Sequence, residues 1–238
     1  LNVKITKLSR INGDKKVFLY SVAESGNMNA LIQNIIFDLG GVILNIDPER
    51  TRAKFIAMWN GKAEEVYRNI VRENILEDYE TGRISTDEFR QALLKYAHPG
   101  TPPSAIDDAW NAMLLDIPAE NLTVLWKVKE HYRTFLLSNT NAMHTPLYSA
   151  MFSNKSGKSM EEFFEGVFLS HKLGMNKPHR EIFEYVLQVN GLRPDETLFI
   201  DDAEENIRAA AALGIQTIHL IPPLHLQNIF SKDGRLHN

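Results

Sequence analysis

The stretch Gln33-Asn-Ile-Ile-Phe-Asp-Leu-Gly-Gly-Val-Ile-Leu-Asn-Ile-Asp47 decides the fold. Ile35, Ile36 and Phe37 form an unbroken apolar run between polar residues, the pattern of a strand buried on both faces. The run stops at Asp38, and Gly40-Gly41 behind it makes a tight turn. A carboxylate therefore stands at the carboxyl end of a buried strand. In open α/β sheets, ligands bind in the crevice outside those ends, which makes Asp38 a candidate for chemistry. The competing reading is a structural Asp that starts a turn or caps a helix.

Downstream, short apolar runs recur at 134–137, 166–169, 197–200 and 216–220, with helical spacing between them at 143–152, 180–189 and 204–213. Such alternation predicts an α/β fold, a doubly wound parallel sheet of Rossmann-like type with helices on both faces. Between its first two strands the pattern is helical only. Segments 48–59, 63–71, 86–96, 104–113 and 118–131 carry helical spacing, with a capping box at Ser85-x-x-Glu88 and Pro118 near a helix start. The expected organisation is a core of residues 34–47 and 132–238, interrupted by an α-helical cap domain at 48–131. Linkers are expected near 44–48 and 131–133. The aromatic residues of the insertion, among them Phe55, Trp59, Tyr67, Phe89, Tyr96 and Trp110, read as the core of a small bundle. Residues 1–33 fit the pattern poorly. They read either as a hairpin of strands 3–8 and 16–22 turning at Asn12-Gly13, or as an extension of a protein whose translation starts at Met28.

Composition narrows the function. With 26 Lys plus Arg against 30 Asp plus Glu and no long basic run, nothing marks a nucleic-acid surface. The absence of Cys excludes disulfides, thiolate catalysis and Cys-bound metal. No apolar stretch approaches the length of a membrane span, and the expected location is cytoplasmic, as a monomer or homodimer.

Each later strand also ends in polar chemistry: Ser138-Asn139-Thr140-Asn141, Lys177-Pro178 and Asp201-Asp202. Four strand ends of one sheet converge on one crevice. The set suits phosphoryl transfer through a covalent intermediate: a carboxylate to attack phosphorus, hard oxygen ligands for Mg2+, and an ammonium to offset negative charge. Phe37-Asp38-Leu-Gly-Gly-Val42, Leu137-Ser138-Asn139, Lys177-Pro178 and Phe199-Ile-Asp201-Asp202-x-x-x-Asn206, in that order, resemble the haloacid dehalogenase (HAD) superfamily of hydrolases with a helical, C1-type cap. The wording of the first two motifs is most similar to the bacterial branch that includes glucose-1-phosphate phosphatases.

The resemblance implies that Asp38 is the nucleophile. It implies that Asp38, the Gly40 carbonyl, Asp202 and Asp201 hold Mg2+, and that Ser138 and the Asn139 amide hold the phosphate of a small phosphorylated metabolite, a sugar phosphate first among them. Lys177 then neutralises charge and Asn206 supports it. The structural alternatives are a helix cap at Ser138-Asn139, a surface lysine and an acidic turn. One departure matters. Phosphatases of this superfamily usually carry Asp two residues after the nucleophile as general acid and base, and here that residue is Gly40. Such a group is commonly worth about 10^2 to 10^4 in rate. Asp47, His144, His171 or the cap segment 80–83 are candidates to replace it, the two histidines reading otherwise as solvent-facing loop residues. Two other functions fit the motifs: a 2-haloacid dehalogenase, which also lacks that acid but has no use for clustered carboxylates, and a non-catalytic binding protein that kept the fold.

Overall fold

The structure, a computed structural model, describes residues 5–11, 15–20, 32–59 and 62–237. Its strands are β1 (Ile5–Ile11), β2 (Lys15–Tyr20), β3 (Asn34–Phe37), β4 (Arg133–Ser138), β5 (Gly166–Leu169), β6 (Thr197–Asp201) and β7 (Gln216–His219). They form a sheet of order β1-β2-β7-β6-β3-β4-β5. The five strands from β7 to β5 are parallel, as the alternation predicts, and β1 and β2 extend the edge antiparallel to β7. The N-terminal segment thus supplies two edge strands. The turn expected at Asn12-Gly13 and the start expected at Met28 lie outside the described residues.

Side-chain alternation along β3 explains why its run is apolar throughout. Ile35 and Phe37 face one layer with Leu136, Leu198, Ile200 and Ile218, while Ile36 faces the other with Phe135, Leu137 and Phe199. The central strands are covered on both sides. Helices α1 (Pro48–Met58), α2 (Ala63–Arg72), α3 (Ile75–Glu80), α4 (Thr86–Leu94) and α5 (Pro103–Trp110) follow β3. They bury Phe55, Trp59, Val66, Ile70, Tyr79, Phe89, Leu93 and Ile106 in a core of their own. Tyr67 of the expected bundle core is instead 57% exposed, because Val66 and Ile70 take the buried side of α2. The capping box forms as expected, Ser85 accepting from Glu88 N–H and Glu88 accepting from Ser85 N–H at 2.7 Å. Helix α3 has no counterpart in the sequence reading; it is a short helix entered through Asn74 at φ 54°.

The chain then continues as α6 (Ala119–Val128), α7 (His144–Ser156), α8 (Ser170–Leu173), α9 (Arg180–Asn190), α10 (Glu204–Ala211) and α11 (Leu226–Ile229). Helix α6, counted by its spacing with the insertion, packs Leu122, Leu125 and Val128 into the sheet's core. The second crossing between the two parts accordingly lies at 113–116, not at 131–133. There the chain runs beside the first crossing: Asn45 N–H donates to the Asp116 carbonyl at 2.9 Å, Leu115 N–H to the Asn45 carbonyl at 3.0 Å and Asp47 N–H to the Met113 carbonyl at 2.8 Å. A paired two-strand neck satisfies the backbone of both linkers together. No helix of the described residues is long and apolar enough to cross a membrane.

Candidate active site

The parallel register sets the site. Phe37 pairs with Leu136 on one side and Ile200 on the other, so Asp38, Ser138 and Asp201 emerge at one edge of the sheet. Asp38 N–H still donates to the Ile200 carbonyl at 2.9 Å, which fixes its backbone to β6. Lys177 enters from the loop between α8 and α9 and places its ammonium between two carboxylates, 2.6 Å from Asp38 Oδ1 and 2.6 Å from Asp201 Oδ2. Its side chain is 1% exposed. Asp201 is held on its other flank by Asn206 Nδ2, at 3.0 and 3.1 Å, and by Ala203 N–H at 2.8 Å. Asn206 supports the cluster through Asp201, and its own Oδ1 is buried without a partner among the described residues.

Burial pushes the Asp38 carboxyl up to about 7, with Lys177 pulling it down and Asp201 pushing it up. Burial also opposes the Lys177 ammonium, yet the two carboxylates outweigh it and raise Lys177 above the ordinary lysine value. Asp202, partly buried, is raised by burial and then by its neighbour Asp201. One ammonium among three carboxylates leaves negative charge uncompensated in a poorly solvated crevice. Asp38, Asp201 and Asp202 offer oxygen atoms within 4.8 Å of one another. A small hard cation fits this donor set and this charge imbalance, since Mg2+ prefers carboxylate oxygens and few protein ligands. Asp202 is aimed by two neighbours: His219 Nε2 lies 2.8 Å from its carbonyl, and Gly41 lies against its carboxylate.

Gly41 adopts φ +75°, and a Cβ there would run into Asp202 Oδ2. Gly41→Ala therefore strains the turn and displaces a proposed metal oxygen together. Losing the partner that orients a ligand typically costs about 10- to 100-fold in metal affinity. We expect the Mg2+ concentration for half-maximal activity to rise by about that factor, as a Mg2+ titration of the variant will read.

The loop after β4 is held by side-chain contacts across long sequence separations. Asn139 turns away and clamps the lysine loop, its Nδ2 donating to the Lys177 carbonyl at 2.7 Å and its Oδ1 accepting from Lys177 N–H at 2.8 Å. Ser170 Oγ accepts from Thr140 N–H at 2.9 Å and donates to the Thr140 carbonyl at 3.0 Å. Ser138 is buried, and among the described residues its hydroxyl makes only a 3.4 Å contact, to the Asn139 carbonyl. It is poised to accept a better partner.

Three of the four candidates to replace the absent acid are engaged elsewhere or make no bond to the cluster. Asp47 caps α1, accepting from Glu49 N–H at 3.1 Å, and faces Arg50. His144 is not a solvent-facing loop residue, as its sequence neighbourhood suggested; it is 7% exposed and joins the sheet domain to the inserted helices. Its Nδ1 accepts from Asn141 Nδ2 at 3.2 Å, its Nε2 lies 3.3 Å from the Trp110 carbonyl, and its ring stacks on Trp110 at 5.4 Å. Beside it, Met143 N–H donates to Tyr79 OH at 3.2 Å and the Met143 side chain enters the helices' core. His171 is half-buried on α8 without a hydrogen bond to any of the carboxylates, and its carbonyl abuts Gly82. Segment 80–83 remains.

Burial drives His144 down to about 4, so it is neutral in the folded protein at pH 7. Its folded pKa lies below the unfolded value of about 6.5. The unfolded chain then binds more protons between those two values, and the stability that neutral His144 contributes is lost as pH falls through that window. We expect wild type to lose roughly 2–3 kcal/mol more than His144→Asn between pH 7 and pH 4.5 in urea unfolding. Equal losses in the two proteins will contradict the contact.

Comparison with known proteins agrees with the geometry. Residues 32–214 match the haloacid dehalogenase-like hydrolases. The chain belongs to that family. It is 30% identical over 187 residues, 79% of this chain and 91% of the relative, to D-ribitol-5-phosphate phosphatase of Bacteroides thetaiotaomicron. A HAD family enzyme of Bacteroides thetaiotaomicron superposes with a TM-score of 0.78 at 35% identity, covering 84% of this chain and 98% of that one. Its wild-type form has also been solved in complex with magnesium and inorganic phosphate, at a TM-score of 0.70 and 34% identity over 84% of this chain and all of that one. L-2-haloacid dehalogenase of Xanthobacter autotrophicus shares the fold alone, at 20% identity and a TM-score of 0.51 over 78% of this chain and 76% of that one. Within its family this chain is a phosphatase, and the cluster of Asp38, Asp201 and Asp202 is its candidate site for a divalent cation.

Proposed function

We propose that the protein hydrolyses the phosphate monoester of a small polyhydroxylated alcohol, with Asp38 as nucleophile and Lys177, Ser138 and the Asn139 amide around the phosphate. The observation that carries this reading is the Lys177 ammonium held at 2.6 Å from both Asp38 and Asp201 in a buried crevice. Asp38, the Gly40 carbonyl, Asp201 and Asp202 would hold Mg2+, which would supply positive charge against the phosphoryl oxygens. Lys177 favours the ionised form of Asp38 against the effect of its burial. An Asp38 oxygen forms a bond to phosphorus as the bond from phosphorus to the alcohol oxygen breaks, and the departing oxygen takes its proton from a solvent water. Water then attacks phosphorus, releasing phosphate and the Asp38 carboxylate. Ser138, short of a good partner, donates to a phosphoryl oxygen.

Helices α1 to α5 act as the C1-type cap over this crevice, joined to the sheet domain by the paired neck at 45–47 and 113–116. The similarity to a ribitol-5-phosphate phosphatase favours an open-chain polyol phosphate over glucose 1-phosphate as substrate. Carbon–halogen cleavage gains nothing from three clustered carboxylates, which would repel a haloacid carboxylate. The test is phosphate release from D-ribitol 5-phosphate, glucose 1-phosphate and p-nitrophenyl phosphate with and without Mg2+, beside chloride release from 2-chloropropionate. Mg2+-dependent phosphate release, fastest on the polyol phosphate, is expected. Chloride release without phosphate release will overturn the reading.

A further inference from the structure

The turn behind Asp38 closes on itself and leaves two carbonyls over. The Leu39 carbonyl accepts from Ile43 N–H at 2.9 Å and from Leu44 N–H at 2.8 Å, and Gly41 N–H donates to the Leu44 carbonyl at 2.9 Å. Among the described residues no backbone N–H reaches the carbonyls of Val42 and Ile43. Both residues are buried, which makes water a poor substitute. Buried carbonyls are costly to leave without a donor, and a side chain is the remaining source of one.

That side chain is Asn121, in the first turn of α6. Its Nδ2 donates to the Ile43 carbonyl at 2.9 Å and to the Val42 carbonyl at 3.4 Å. Its Oδ1 accepts from Gln227 Nε2, on α11, at 2.8 Å. The amide therefore has one orientation, nitrogen to the turn and oxygen to α11. Asn121 is buried on the face of α6 that also carries Leu125 and Val128, one and two turns further on. A leucine there would favour the helix more and bury no polar group. What the asparagine adds is its pair of bonds to the turn.

The same turn sets the geometry of the carboxylate cluster. Asp38 stands at its start, the Gly40 carbonyl is a proposed Mg2+ ligand, and Gly41 lies against the Asp202 carboxylate. We propose that Asn121 is a positioning residue of this phosphatase: by holding the Val42 and Ile43 carbonyls it fixes the turn where Asp38, Gly40 and Asp202 can share one cation. Asn121 makes no bond to the cluster itself. The turn precedes the inserted helices and α6 follows them, 79 positions on, so this one side chain ties the two ends of the insertion together behind the site. The inference rests on the reading of the cluster as a Mg2+ site and extends it.

The experiment titrates Mg2+ into the metal-free protein and follows the rise in melting temperature, which gives an apparent Mg2+ dissociation constant without substrate. Wild type is compared with Asn121→Leu, which nearly keeps the volume of the side chain and removes its donors, and with Asn121→Ala. The expected result is a dissociation constant raised by about 10- to 100-fold in Asn121→Leu, the usual effect of losing a group that orients a metal ligand. Asn121→Ala, where water can enter and donate to the carbonyls, should show about a tenfold rise. An amide that only docked α6 would lower the melting temperature without Mg2+ and leave the dissociation constant alone. A constant within about twofold of wild type in the folded variants therefore overturns the assignment, and Asn121→Ala decides it if Asn121→Leu does not fold. A wild-type protein that binds no Mg2+ overturns the reading of the cluster, and the assignment falls with it.

Discussion

Asp38→Asn is expected to lower Mg2+-dependent phosphate release by about 10^4-fold or more while leaving the protein folded. The amide nitrogen that replaces one carboxylate oxygen cannot form the bond to phosphorus, and the neutral side chain no longer helps to hold the cation. The folded state has little to lose. Burial raises the Asp38 carboxyl to about 7, far above the ordinary value of 3.8, so its ionisation at neutral pH opposes folding. For a group whose folded pKa is raised, stability falls as pH rises from the unfolded to the folded value, and removing the charge removes that loss. The side-chain oxygen that the amide retains can still accept from Lys177. The melting temperature of Asp38→Asn should be no lower than that of wild type without Mg2+. Activity within tenfold of wild type will show that another group attacks phosphorus.

Lys177→Met is expected to be the most damaging single change to stability. Among the described residues its ammonium is the one cation bonded to both Asp38 and Asp201, whose side chains are 10% and 0% exposed. Removing one member of a buried charged set while its partners stay buried typically costs about 3–5 kcal/mol. Urea unfolding at pH 7 without Mg2+ should show a loss of that order. The deficit should shrink on acidification, since protonating Asp38 removes the charge that has lost its partner. Phosphatase activity should fall by about 10^2- to 10^3-fold or more, the usual effect of losing one preorganised donor at a reacting centre. A variant as stable as wild type at pH 7 will contradict the burial and pairing described for Lys177.

The site was legible in the sequence because its residues fall where apolar runs end. Asp38, Ser138 and Asp201 each follow a buried strand, and the parallel register carries them to one edge whatever the detailed packing. Asn206, in the first turn of α10, was read as a supporting group from the family resemblance alone. What the sequence left open depends on residues that meet across long separations. Asn139 holds the backbone of Lys177, 38 positions away, and Tyr79 reaches Met143, 64 positions away. Neither pairing leaves a local pattern.

Helix α6 was assigned to the insertion because helical spacing reveals an apolar face without naming what covers it; Leu122, Leu125 and Val128 cover the sheet. Helix α3 was missed because six residues starting from a left-handed Asn74 give too short a period to read. His144 misled in a different way. A histidine beside Thr145 and Asn141 reads as a polar loop residue, yet its ring replaces solvent with Asn141 and Trp110 and so closes the junction between the two parts. Sequence composition says which residues can be polar, and tertiary packing decides which of them stay wet.

In the proposed mechanism Asp38 carries the phosphoryl group between substrate and water. Rapid quenching of the Mg2+-loaded enzyme with a 32P-labelled polyol phosphate puts that step to the test. Transient label on the chain is expected, stable to acid, released by hydroxylamine as an acyl phosphate is, and mapped to the peptide containing Asp38. Full turnover with no label on the chain, or label on a residue other than Asp38, will contradict it.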